Sequence, residues 1–149
     1  MNLMKSIRKD QLTLNNMFYF VQGYIRYYIY YSKHFKWLMR KHIKEQIDFR
    51  IKMMARSCYN NGSCDLCGCH TTALQMANKS CDKPCYPPMM NRKQWYHFKL
   101  TNEIYLKGNI YKMVIKVINS KNPNNPSIRH TLYVNGVRKH IRNLHERLI

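Results

Sequence analysis

Cys64-Asp-Leu-Cys67-Gly68-Cys69-His70, separated by a short polar stretch from Cys81-Asp-Lys-Pro-Cys85, decides how this 149-residue chain reads. All six cysteines fall between Cys58 and Cys85, and the rest of the chain has none. Two residues between Cys67 and Cys64 let one turn aim both sulfurs at a single ion, and Gly68 accepts the positive φ that such a turn favours. The pattern C-x2-C-x13-C-x3-C has the spacing of a structural four-cysteine zinc site. The expected ligands are Cys64, Cys67, Cys81 and Cys85, with Cys58, Cys69 and His70 as substitutes. Disulfides and a redox-active C-x-x-C are the rival readings. Met1–Leu14 has no signal-peptide core, which argues for reduced thiols. Gly68-Cys69 does not open a helix, which argues against redox catalysis. Four thiolates close the coordination sphere, so the expected Zn²⁺ is structural and stands in for an interior that so short a segment cannot build.

Charge divides the chain around this segment. Residues 1–57 carry 12 Lys+Arg against 3 Asp+Glu, residues 58–90 carry 2 of each, and residues 91–149 carry 12 against 2. The whole has a formal net charge of +19. Two cationic arms on one small body repel each other, and a polyanion is the simplest relief. Hydrophobic residues make up 45% of the chain, enough apolar surface to exclude intrinsic disorder. Seven acidic residues leave little for carboxylate chemistry or acidic metal ligands. Phosphate-binding Gly loops, His-Glu-x-x-His pairs, nucleophile elbows and the deaminase pattern are all absent from the sequence. A non-enzymatic protein is expected.

Outward from the cysteines, the flanks differ in period. Met39, Ile43, Ile47, Ile51 and Met54 recur at helical spacing, with Arg40, Lys41, Lys44, Asp48 and Lys52 on other faces. Tyr24, Tyr27, Tyr28, Tyr31, Phe35 and Leu38 extend that spacing upstream. One amphipathic helix from about Asn15 to Arg56 is therefore expected, about 60 Å long at 1.5 Å per residue. So long a helix needs a packing partner on another chain, and its tyrosines read as an interface rather than a base-stacking platform. Arg26, Lys33, His34 and Lys36 make Met17–Met39 too charged to span a bilayer, leaving an interfacial or protein-packed helix.

On the other side, Cys85-Tyr-Pro-Pro leaves the segment extended. Trp95, Tyr96 and Phe98 are expected to cover its apolar side. Ile104–Ile118 reads as two strands turning at Gly108-Asn109, and Asn119–Ser127 as a loop. Thr131–Val134 before Asn135-Gly136 signals a type I′ hairpin. The last residues, from Arg138, read either as a continuing strand or as a short basic helix. The expected class is α+β: a helical arm (1–57), a zinc-binding cysteine module (58–90) and a basic region of antiparallel hairpins (91–149).

The stretch Cys58-Tyr-Asn-Asn-Gly-Ser-Cys64-Asp-Leu-Cys-Gly-Cys69-His-Thr, continuing through Ser80-Cys-Asp-Lys-Pro-Cys-Tyr-Pro-Pro-Met-Met90, resembles a cysteine-rich module in small proteins of crAss-like tailed bacteriophages. It covers about a quarter of the chain, and it departs from that pattern at Thr72-Ala73, where Thr-Pro is expected. The resemblance implies a virion-associated protein made in the host cytoplasm, in the capsid or the head–tail connector region. Its expected partners are other virion proteins in a homo- or hetero-oligomeric assembly and packaged DNA. The charges in Met17–Met39 make a membrane partner unexpected, and a membrane-surface protein using that segment is the third and weakest reading. The alternative is an intracellular zinc-finger protein that binds nucleic acid, such as a phage regulator.

Overall fold

A computed structural model describes residues 13–54, 75–79, 85–118 and 126–149. Of the cysteines only Cys85 lies among them, and most of the expected 119–127 loop lies outside them too. The order of elements is α1 (Leu14–Tyr31), a 3-10 turn (Lys36–Leu38), α2 (Lys41–Met54), α3 (Arg92–Thr101), and strands β1 (Glu103–Leu106), β2 (Asn109–Ile118), β3 (Ser127–Val134) and β4 (Val137–Leu144). Helices beside an antiparallel sheet make the class α+β, as expected.

The single long helix does not form. Thr13 caps α1 by accepting from the Asn16 N–H, and α1 ends at Ser32. The Ser32 hydroxyl accepts from the backbone N–H groups of His34 and Phe35, both at 3.2 Å, which turns the chain out of the helix. A serine that binds backbone two and three residues on offers an alternative to the i→i−4 ladder, and no Pro or Gly is needed to break it. The chain then re-enters helix at α2, whose first turn closes on the Arg40 carbonyl. The need for a partner chain falls away for α2, because Ile47, Phe49 and Met53 are buried within this same chain.

An unexpected third helix follows the prolines. Asn91 accepts from the Gln94 N–H at 2.9 Å, while the Gln94 side chain accepts from the Asn91 N–H at 3.0 Å, a reciprocal capping box. Asn102 closes α3 in the left-handed region, φ 57°. Trp95 and Phe98 meet Phe49 of α2 with ring centroids 6.0 and 6.2 Å apart, edge-on, in the geometry aromatic quadrupoles prefer.

The four strands form one antiparallel meander in the order β1-β2-β3-β4. Lys107 and Gly108, with φ of 47° and 80°, form the first turn, one residue earlier than the Gly108-Asn109 expectation. Asn135 and Gly136, with φ of 50° and 77°, form the Asn-Gly turn as expected. The C-terminal stretch continues as strand to Leu144. Tyr111, Met113, Leu132 and Val134 face inward onto Trp95 and Phe98, and Cys85, Tyr86 and Met90 join the same core. Trp95 and Phe98 thus pack with the described end of the cysteine segment, whereas Tyr96 stays exposed.

Candidate nucleic-acid interface

Two described stretches of the cysteine segment, residues 75–79 and 85–90, are gripped by polar side chains from α1 and α2. Arg50 is 1% exposed, yet its guanidinium donates to the Ala77 carbonyl at 2.7 Å and to the Pro87 carbonyl at 3.1 Å. It also lies 5.0 Å from the Tyr86 ring centroid. Gln46 brackets Met90, accepting from its N–H at 2.6 Å and donating to its carbonyl at 3.0 Å. From α1, Arg26 donates to the Met76 carbonyl and to Asn78 Oδ1, and Gln22 accepts from the Asn78 N–H. The Met89 N–H donates to the Asn78 carbonyl at 3.3 Å, which ties the two stretches to each other. Burial, and secondarily the charge of Arg50, lower the Arg26 pKa.

Of the expected metal ligands, Cys64, Cys67 and Cys81 lie outside the described residues, as do the substitutes Cys58, Cys69 and His70. Cys85 is described; it is buried beside His140, whose imidazole bonds the Cys85 carbonyl. Burial lowers the His140 pKa, against the opposing pull of Cys85. Cys85 packs in the hydrophobic core with Tyr86, Met90 and Trp95. Among the described residues no group of three His, Cys, Asp or Glu comes together. The sequence pattern missed Arg50, Gln46 and His140 as the parts that hold this neck.

The sheet supplies the open surface. The helices pack on the face that carries Tyr111, Met113, Leu132 and Val134, and the alternate residues face away. Register places Glu103, Lys112, Tyr133 and Arg138 in one row across all four strands. A second row holds Lys116, Arg129 and Asn143. Four residues separate the rows along β2, about 13 Å at strand rise. Lys116 and Arg129 are directly opposed, a like-charge pairing that destabilises a sheet unless an anion lies between. Arg129 Nε donates to Asn143 Oδ1 at 3.3 Å, which aims it along the row. Glu103, 3.3 Å from Lys112, is the one acid in these rows. Tyr105, 69% exposed, and half-buried Tyr133 supply rings among the cations. Cations for phosphates beside rings for bases form the surface that single strands use. Alternation alone marks these residues in the sequence, once the two hairpin registers are fixed. Compared with protein-family models, curated proteins and solved structures, the chain matches none.

Proposed function

We propose that the chain is a non-enzymatic structural subunit of a tailed-phage particle, in the capsid or head–tail connector region, with a zinc-held cysteine module. Its cationic sheet face lies against packaged DNA and against acidic surfaces of neighbouring virion proteins. The observation that carries this reading is the opposed pair Lys116 and Arg129 beside the row of Lys112, Tyr133 and Arg138, on a face the helices leave open. In a chain of net charge +19 that arrangement is stabilised by a polyanion and costly without one. The likeness of the cysteine stretch to phage modules supplies the setting, and the zinc site is the donor pattern of Cys64, Cys67, Cys81 and Cys85.

Mass spectrometry of purified particles tests it. The chain is expected among the virion proteins, with Lys116→Glu/Arg129→Glu lowering its incorporation. Its absence from particles overturns the reading. The exposed ring of Tyr105 beside half-buried Tyr133 favours a second reading, a free protein that binds single-stranded nucleic acid. Such a protein with ~6–10 phosphate contacts loses roughly 10³–10⁵ in affinity between 50 and 200 mM salt. A particle subunit is expected to stay in place over that range.

A further inference from the structure

α1 is amphipathic the wrong way round for a helix packed on its own domain. Its polar side chains face the body: Asn16 accepts from Lys79 Nζ, Gln22 from the Asn78 N–H, Arg26 reaches Met76 and Asn78, and Tyr30 donates to Asp48. Its apolar side chains face out. Leu14, Phe18, Val21, Ile25 and Tyr28 are each more than half exposed, and Gly23 is the only buried residue of the helix. Among the described residues, nothing apolar covers this stripe. The turn that follows continues it with Phe35, Trp37 and Leu38, of which Trp37 is 78% exposed.

Along this stretch of chain the charges have one sign. From Thr13 to Lys44 there is no Asp or Glu; Arg26 is held against the body, and Lys33, Lys36, Arg40, Lys41 and Lys44 are the remaining cations. Arg26 and Arg40 share one recess of about 260 Å³ with Leu38 and His42, so cations and apolar turn occupy the same corner. Burial lowers the His42 pKa, and Arg40, Arg92 and Arg26 push it further the same way, against Glu45. A second copy of this chain would set five more such cations against these. An anionic bilayer surface answers both halves of the pattern, taking the apolar stripe into the acyl boundary and the cations to its phosphates. Tyr and Trp gathered toward one end of the stripe suit the headgroup level.

We propose that α1 and the turn Phe35–Leu38 form an interfacial anchor that lies on an anionic lipid surface without crossing it. No described helix is long and apolar enough to cross a membrane. The charges within Met17–Met39 that argue against spanning are compatible with an anchor that does not span. The proposal is independent of the sheet face and stands or falls separately from it.

The test mixes the full chain with vesicles of phosphatidylcholine alone, or of phosphatidylcholine with phosphatidylserine. Binding is followed by sedimentation and by tryptophan emission. Trp37 is exposed while Trp95 is buried and donates to Glu45, so a blue shift on binding reports Trp37. Binding is expected to be at least roughly tenfold tighter on the anionic vesicles, with a blue shift that Trp37→Phe abolishes. Phe18→Ser/Ile25→Ser is expected to cost about tenfold or more in binding, with the thermal melt unchanged because both side chains already face solvent. Anionic vesicles that bind the chain without moving Trp37 emission would place the contact on the sheet and overturn the anchor. So would absence of binding, or a stable dimer disrupted by the Phe18/Ile25 variant.

Discussion

Replacing Arg50 with methionine keeps most of the side-chain volume and removes the clamp on residues 77 and 87 of the cysteine segment. Two charge-assisted hydrogen bonds to the Ala77 and Pro87 carbonyls are lost. Bonds to charged groups contribute about 1.5–3 kcal/mol each, so the gross loss is about 3–6 kcal/mol. Removing the charge also relieves its repulsion of Arg26, which offsets on the order of 1 kcal/mol. The net loss of about 2–5 kcal/mol is a large share of the roughly 5–15 kcal/mol that holds a domain together. At about 2–4 °C per kcal/mol for a chain of this size, the melting temperature is expected to fall by roughly 5–15 °C. Urea unfolding followed by Trp95 fluorescence measures the free energy. Hydrogen exchange is expected to rise first at residues 75–79 and 85–90. Arg129→Met, on the exposed face, is the control and should stay within about 0.5 kcal/mol of the parent. An Arg50→Met variant as stable as that control would refute the claim that a buried cation organises the neck.

Metal analysis of protein prepared under reducing conditions is expected to find about one Zn²⁺ per chain, with Cys85→Ser lowering the content; metal-free protein with its sulfurs paired in disulfides would sink the zinc site. His130 is buried, its Nε2 accepts from the Leu148 N–H at 3.3 Å, and burial lowers its pKa from the ordinary 6.5. The folded state therefore favours the neutral ring. Stability from this group is complete above about pH 6.5 and declines as pH falls through the unfolded value toward the folded one. His130→Gln should flatten that part of a melting-temperature profile, and an unchanged slope would contradict the assignment. Asn135 sits at φ 50°, accepts from the Ile110 N–H at 2.8 Å and donates to Asn109 Oδ1 at 2.8 Å. Asn135→Ala is expected to cost about 1–2 kcal/mol in urea unfolding, and Asn135→Gly less, because glycine loses only the bonds and not the left-handed backbone.

The hairpins were legible because their signals are local. Asn135-Gly136 and Gly108 name the positive-φ positions, and the strands on either side alternate. The helix break at Ser32 was not, because a serine between aromatic runs reads as helix until its hydroxyl is seen on the His34 and Phe35 amides. α3 is faint in the sequence for a different reason. Its Arg-Lys-Gln start and mixed aromatic interior give a weak stripe, although Asn91 and Gln94 at capping-box spacing were there to be read. In the candidate site, the cysteine spacing was plain, but its scaffolding was hidden. A charged residue at position 50 looks like a solvent-facing neighbour of Ile51, and only long-range contacts with residues 77 and 87 reveal it as buried. The cationic rows of the sheet needed strand pairing, which no single stretch of sequence encodes.

Among the described residues the meander leaves β4 at one edge of the sheet, and a sheet edge invites another molecule's strand. Here that rim carries the exposed neighbours Arg138 and Lys139. Two molecules aligning edge to edge would stack those positive groups against one another at the spacing of neighbouring strands, about 4.8 Å. Crowding alone therefore should not zip this protein into fibrils, and partners that add a strand at β4 would have to bring negative side chains with them.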